Sequence, residues 1–585
     1  MVKGRQSINV LGLDLGRMNT RAALFSNVDG KYKLQGSGKA PTSLGPHLSL
    51  GSGIEQAVKN LQEHVNVILL RPGEKITNRS DPLSLRMDQV ISVVSAGPWM
   101  KAALLGLTVE GSVRACKTLF DSLPFENSGT FGLAALPHEL DVIDELIQHH
   151  PDFLIISGGE DAGAEEPLLR WIEVARLICL ILPATRRPVI IFAGNPLIEE
   201  TVRRRLEPIT KLHVVPNLRP EDGRLDLIPA QRKLDQEIMR RWRKDLPGWI
   251  DTTNHINHAV ATTGFPLSRI VRFLSQLKNT SIESPVKRGV IALNLGGSST
   301  ILTAGLDGQS GTLMQKRWDS LETDGQEYVM RSILRWIAMP ILPEEVHQFL
   351  ANRPLFENVL PENLTELAVS QAYARVRLQR ANQAFASNYP WYQRSDGGGL
   401  PNCYEPIIAS GAVLTQAPTP GQAMLMLLDG IQPKGITTMI LDKSHILPLL
   451  GLIGEIDPVL PVQLLASSAF ENLGTVIVAT SDAPAGEVIL NVHVEVTSGK
   501  NYSVDISQGD LRRLVIPPGS SVILDLEPDP YTYVGFSDRG KGGRLRVNAG
   551  VTGVVIDARG RPIRLPQDDE MRVAKLHQWQ SILGG

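Results

Sequence analysis

Two stretches that lie far apart in the chain share one outline. Residues 8–36 run as an apolar segment (INVLGLDL), a tight turn (GRMN) and a second apolar segment (TRAALFSN) that closes at Asp29-Gly30. Residues 289–308, GVIALNLGGSSTILTAGLDG, repeat the pattern as apolar run, Gly-containing turn, apolar run and Asp307-Gly308. Apolar runs joined by short turns and ended by Asp-Gly read as β-hairpins. A hairpin start that occurs twice implies two related halves, so whatever chemistry one turn carries has a counterpart in the other.

Between and after these starts the grammar is mostly α/β. From 88 to 215, VISVVSA, DFLIIS, PVIIFA and LHVV alternate with amphipathic stretches near 110–119, 137–149, 165–181 and 198–206, which predicts βα units around a mostly parallel sheet. Residues 226–280 and 324–388 read as helical, the second region ending in the polar, Gly-rich stretch Gln393 to Asn402. PIIAS, a helix near 420–429, ITTMILD and a helix from about 443 form a further unit. After about 474, Val492, Val494 and Val496 alternate with Asn491, His493 and Glu495, which predicts a separate antiparallel β domain. The expected division is 1–285, 286–473 and 474–585, in keeping with a length of 585 residues at ~150 per domain.

Composition removes several classes of partner. Lys+Arg 59 against Asp+Glu 61 gives a net charge of −2, which supplies no global field toward nucleic acid or anionic lipid. Cys116, Cys179 and Cys403 form neither a CxxC pair nor a disulfide framework. Asp14 interrupts the apolar start too early for a signal segment, and no uncharged run approaches the ~20 residues of a membrane helix. The expectation is a soluble, cytoplasmic protein without nucleic-acid or membrane partners.

The turns themselves carry the candidate chemistry. In Asp14-Leu15-Gly16-Arg17-Met18-Asn19-Thr20-Arg21, a carboxylate at a strand end can hold hydrated Mg²⁺ while backbone N–H groups face phosphate oxygens. Asn294-Leu295-Gly296-Gly297-Ser298-Ser299-Thr300 has the same layout, with two glycines for close approach to an anion and hydroxyls as donors. In Ile407-Ile408-Ala409-Ser410-Gly411-Ala412-Val413, a strand ends in small residues, as needed where an adenine ring lies flat on backbone. Taken singly, each reads better as an ordinary turn; as a pair, the first two would clamp a nucleotide between them.

The order of the three segments resembles the ASKHA superfamily of actin, sugar kinases and Hsp70-type ATPases. A narrower resemblance rests on DLGRMNTRAAL, APTSL, SAGPWMKAALLGLTVEGSVRA, PDFLIISGGEDAG, RPVIIFAGN, VVPNLRPEDGRLDLIPAQR, NLGGSST and IIASGAVLTQAPTPGQAMLMLLDGIQPKGITTMILD. These are similar, in content and order, to the glutamate mutase L (MutL) family, a namesake unrelated to the DNA-repair protein. The resemblance implies a two-lobed ASKHA fold (actin-like ATPase, ribonuclease H-like) followed by the C-terminal all-β domain. It also implies ATP/ADP with Mg²⁺ as cofactors, and a reactivating role toward an adenosylcobalamin-dependent mutase subunit. Its matching positions are Asp14 (also the metal ligand), Gly16, Thr20, Gly296, Gly297, Thr300, Ser410 and Gly411; Arg17 and Ser298 join them as candidate cofactor-binding residues, and Asp14 and Asn294 are the candidate catalytic pair.

Two departures bear on activity. The second ASKHA turn normally begins with Asp, whereas Asn294 can neither act as a base nor present a full charge to Mg²⁺. Arg17 stands where a small hydroxyl residue is usual, and its guanidinium can pair with a phosphate or fill the site. The expected activity is weak ATPase at most, with a catalytically inactive scaffold as the alternative; a small-molecule kinase would need a carboxylate base that cannot be assigned. No DxHxxG cobalamin pattern occurs. Ser157 to Gly163 reads as a helix-entry loop, His149-His150 as a solvated helix end, Cys179 as a buried apolar residue, and Arg203 to Arg205 and Arg240 to Arg243 as solvated helix faces.

Overall fold

The computed structural model describes residues 8–584 apart from 43–48, 72–75, 77–84, 162, 164, 221–224, 250–258, 279–287, 318–322, 353–360, 393–403, 497–500 and 537. The Gly-rich stretch from Gln393, Cys403 and the division expected at 285/286 lie outside the described residues.

The first hairpin folds as β1 (Val10–Leu15) and β2 (Asn19–Val28) and runs on into β3 (Lys31–Pro41), all antiparallel. Helix α1 (Leu50–Val65) packs on β2 and β3, and β4 (Gln89–Val94) then pairs parallel with β1. Every residue of β1 is buried, as in a strand covered on both faces.

The chain next builds the parallel sheet that the alternating pattern predicts. Its strands are β5 (Met100–Leu105), β6 (Phe125–Phe131), β7 (Phe153–Ile156), β8 (Val189–Phe192) and β9 (Leu212–Val214), in the order β6-β5-β7-β8-β9. Helices α2 (Arg114–Phe120), α3 (Glu139–His149), α4 (Glu166–Ile181) and α5 (Glu199–Leu206) connect them. VISVVSA belongs to β4 and so to the first sheet; an apolar strand reads alike whichever sheet receives it. Helix α6 (Ile228–Asp245) leads to β10 (Val260–Thr262), which the helical reading of 226–280 missed and which completes the sheet β10-β4-β1-β2-β3.

After α7 (Gly264–Lys278) the second hairpin repeats the design with β11 (Gly289–Leu295), β12 (Ser299–Leu306) and β13 (Gln309–Lys316). The predicted helical region folds as α8 (Thr323–Leu334), α9 (Pro343–Asn352) and α10 (Leu364–Asn388). Then come β14 (Tyr404–Ser410), α11 (Ala412–Thr415), α12 (Pro420–Ile431) and β15 (Gly435–Leu441). The run β13-β12-β11-β14-β15 reproduces the first sheet strand for strand, two antiparallel pairings followed by two parallel ones. Two such sheets make the two-lobed ASKHA fold.

Helices α7 and α13 (Leu447–Ile456) lie between the lobes, sharing one core with Val10 and Phe25 of the first sheet and Val290 and Ala292 of the second. Helix α13, LPLLGLIGEI, is apolar apart from Glu455, and its first seven residues, Leu447 to Ile453, are all buried, as in a helix packed on most of its circumference. Its Gly451 lies so near α7 that a Cβ there would come 2.0 Å from Pro266 O.

The region after 474 contains the expected all-antiparallel sheet, made of β17 (Val488–Val496), β18 (Tyr502–Ser507), β20 (Ser521–Pro528) and β21 (Gly543–Asn548) in the order β18-β17-β20-β21. It does not stand apart. The expected division at 473/474 falls inside β16 (Glu471–Val478), which follows α14 (Val459–Leu465) and pairs with β15. Strands β22 (Val554–Asp557) and β19 (Leu511–Leu514) then extend the second lobe's sheet to eight strands. The physical reason is that β22 is buried throughout and β15 would otherwise present an open edge. A buried ion network seals the seam: Asp429 accepts from Arg375 Nε at 2.7 Å and from Arg559 Nη1 at 2.8 Å, and Asp557 from Arg559 and Arg561. The chain closes with α15 (Asp569–Leu583) against α12. Among the described residues no helix is long and apolar enough to cross a membrane.

Candidate functional site

The hairpin registers make the two turns equivalent. Leu15 pairs with Thr20 and Asp14 with Arg21; Leu295 pairs with Thr300 and Asn294 with Ile301. Both turns face one cleft between the lobes, which Asp14, Gly16, Arg17, Asn294, Gly296, Gly297, Ser298 and Gly411 line together with Met18, Ser95, Arg21 and His445.

Asp14 is 7 % exposed; Arg21 Nη1 donates to its Oδ2 at 3.2 Å, and His445 Nδ1 lies 3.8 Å from the same oxygen. Burial pushes the Asp14 carboxyl above its ordinary value, against the pull of Arg21. His445 sits after β15 with φ 55°, and its Nε2 accepts the Gly411 N–H at 3.2 Å. Burial, with Arg21 and Lys39 adding to it, holds its pKa well below the ordinary histidine value. The imidazole is therefore neutral, and with Nε2 accepting, its proton belongs on Nδ1 facing Asp14. Beside it, burial raises the carboxyl of Asp442 to about 6 although Ile446 N and Leu447 N donate to it.

The second turn is held by cations from behind. Arg377 on α10 donates from Nε to Thr300 Oγ1 at 3.0 Å and from Nη2 to Gly296 O and Ser299 O, both at 2.8 Å. Arg317 Nη1 donates to Gly297 O at 3.1 Å. Asn294 Oδ1 is buried and has no hydrogen-bond partner, an orphaned acceptor of the kind that costs about 1–3 kcal/mol.

Three expected site residues turn their side-chain hydroxyls to the framework. Thr20 is buried and shares a hydrogen bond with Thr42 Oγ1 at 3.0 Å, Thr300 receives Arg377, and Ser410 Oγ donates to Leu293 O at 3.2 Å. Arg21, which closes the first constellation, had no role assigned to it, and Ser95, His445 and Arg377 were missed. Arg21 was readable as the hairpin partner of Asp14; the others come from distant elements and carry no local signal. Gly411 has φ 113°, and a Cβ there would meet Leu295 O at 2.2 Å, so only glycine lets this strand end meet the second turn. A Cβ on Gly297 would lie 1.7 Å from Met18 Sδ: the side chain of one turn rests on the backbone of the other, leaving a space of about 60 Å³.

The loop Ser157 to Gly163 lies away from this cleft, at the C-terminal edge of the inserted parallel sheet, where Asn217 Nδ2 donates to Gly159 O and Asp161 Oδ1. Among the described residues no three His, Cys, Asp or Glu side chains converge as a metal site.

Several solved structures align with the chain at low similarity. Acetate kinase from Entamoeba histolytica aligns at 10% identity over 77% of this chain and 100% of its own, with a TM-score of 0.22. Gluconate kinase from Lactobacillus acidophilus aligns at 10% over 80% and 93%, TM-score 0.29, and a glycerol dehydratase reactivase at 10% over 72% and 95%, TM-score 0.24. Scores this low carry no weight beside the strand order itself. No curated protein matches the chain. The profile described as MutL protein matches residues 10–469, both lobes and the inserted sheet included. With the quoted motifs lying inside that span, the chain belongs to the MutL family.

Proposed function

We propose that the protein is a nucleotide-binding accessory protein, a reactivating chaperone that acts on an adenosylcobalamin-dependent mutase subunit in the cytoplasm. The observation that carries the nucleotide part is the convergence of the Asp14 and Asn294 turns, from two equivalent hairpins, on one cleft. The mutase part rests on membership of the MutL family.

ATP or ADP would lie with its phosphates between the Gly16–Arg17 and Gly296–Ser298 backbones and its adenosine against Ser410-Gly411. The residues present fit Mg²⁺: the Asp14 carboxylate and the orphaned Asn294 Oδ1 offer one hard oxygen from each lobe, and Mg²⁺ keeps most of its ligands as water and phosphate. When bound, the metal would screen phosphate charge; Arg17 and Arg21 would add positive potential. A space of about 60 Å³ is far below the ~300 Å³ or more of ligand pockets, so binding requires Met18 to leave Gly297 and the lobes to part. Nucleotide then biases lobe separation, which the helices between the lobes pass to a bound partner.

The scaffold reading is favoured by a different observation, the amide of Asn294 in place of a carboxylate. Thermal unfolding with ATP or ADP and Mg²⁺ separates the two. Binding to the native state alone adds about 2.7 kcal/mol at a hundredfold excess over Kd, so the melting temperature should rise in wild type and stay still in Asp14→Ala. Absence of a shift at millimolar nucleotide counts against the cleft, and affinity purification that recovers no cobalamin-dependent mutase counts against the partner.

A further inference from the structure

A larger cavity, about 640 Å³, opens on the second lobe. None of the residues lining the cleft lines it. Its walls are α8, α10, the end of α12 and the segment 562–567 that follows the last strand. The volume is that of a small-molecule site.

Its electrostatics are one-sided. Arg335 in the turn after α8 and Arg564 on the C-terminal segment both line it, and no Asp or Glu appears among the described lining residues. Asp429, next in sequence to the lining residue Gly430, is fully buried and already spent on Arg375 and Arg559. In that buried network three guanidiniums share two carboxylates, so it adds to the positive potential and cancels none of it. Two of the amides around the cavity are committed inward: Gln379 Nε2 donates to Asp429 O at 3.0 Å and Asn382 Nδ2 to Ile431 O at 3.3 Å. They stiffen the walls, while Arg335 spends one donor on Leu565 O at 3.1 Å and Arg564 has no side-chain bond among the described residues. Trp336, 7 % exposed, supplies an aromatic surface.

We infer that this cavity is a second ligand site, for a small organic oxyanion whose flat or apolar body lies against Trp336 and whose phosphate or carboxylate is taken by Arg335 and Arg564. Two guanidinium forks from different elements suit an oxyanion with several acceptor oxygens. Binding would tie the C-terminal segment to α10, the helix whose Arg377 holds the second turn of the cleft.

Calorimetric titration of the full-length chain with phenyl phosphate, phenylacetate and, as an uncharged control, benzyl alcohol tests the site. Saturable binding of one or both anions is expected and none of the alcohol; which anion binds better assigns the headgroup. Charge-assisted hydrogen bonds are worth enough that Arg564→Gln should weaken binding about tenfold or more. Arg564→Lys should recover part of it, and Arg335→Gln should weaken it as well. Arg564 is exposed and unbonded, so its variants should melt as wild type does, which keeps the comparison readable. No saturable binding of either anion at millimolar concentration, equal binding of the alcohol, or affinities unchanged in both glutamine variants would overturn the inference.

Discussion

The two lobes start from the same five-strand pattern and are finished differently. The first sheet ends at β10, three residues long, and the chain spends its extra length on a separate parallel sheet inserted before that strand. The second sheet continues past β15 through three more strands and seals the seam with buried ions. The turns differ in the same sense. Lobe one offers a carboxylate with Arg21 and His445 against it; lobe two offers an amide, with Arg377 and Arg317 bonding the turn's own oxygens. A duplicated scaffold thus keeps its backbone geometry while its two copies divide the work, charge on one side and a pre-shaped neutral cradle on the other.

The largest effect is expected where lobe two is completed. A stop codon after residue 473 removes most of β16 with β19 and β22 and leaves Arg375 and Asp429 without Arg559. Uncovering a buried strand and an ion network costs more than the ~5–15 kcal/mol by which domains are stable. The truncated protein should be insoluble or lack a cooperative melt; a soluble product that melts cooperatively would show the C-terminal region to be dispensable.

Lobe one's short edge predicts the next effect. Asp235 on α6 accepts the N–H of Thr262 at 2.9 Å and its hydroxyl at 2.5 Å, fastening β10, and burial raises its carboxyl to about 7 from an ordinary 3.8. The native state therefore keeps a proton that the unfolded chain releases, so stability falls as pH rises from about 4 to about 7 and that contribution is gone above 7. Asn keeps an acceptor without the charge. Asp235→Asn should flatten this slope in denaturant titrations and add on the order of 3 kcal/mol at pH 8; a steeper slope in the variant would mean that the carboxylate is stabilised where it sits.

Making the turns alike is the sharper chemical test. Asn294→Asp restores a carboxylate in lobe two, so ATPase activity should rise about tenfold from a low wild-type rate, as expected of one more anionic group orienting hydrated metal. Without Mg²⁺ the same variant should melt lower, because a buried carboxylate replaces an amide. A brisk wild-type rate that drops in the variant would reverse the roles assigned to the two turns. The smallest effect concerns Met18: Met18→Ala removes the side chain resting on Gly297, and nucleotide affinity should improve about threefold by sparing part of the opening cost. Weaker binding in Met18→Ala would mean that the thioether holds the turns in register.

What the sequence by itself determined was everything that repeats locally. The paired hairpins, the βα alternation and the Asp14, Asn294 and Gly411 positions were legible because strand, turn and small-residue patterns are short-range. The family resemblance rested on longer motifs such as PDFLIISGGEDAG, and the match over residues 10–469 shows the membership. The β-rich character of the last hundred or so residues was legible too, but not their partner: β16, β19 and β22 are apolar strands, and an apolar strand says that it must be covered without saying by which sheet. Tertiary structure alone decided that. It also decided that Thr20, Thr300 and Ser410 face the framework, since a side chain's direction depends on register and twist. The side chains that fill the cleft's electrostatics, His445 and Arg377, arrive from a loop after β15 and from a helix in the middle of lobe two. Their contacts span tens of residues, and no periodicity within either segment encodes where the rest of the chain will place an acceptor for them.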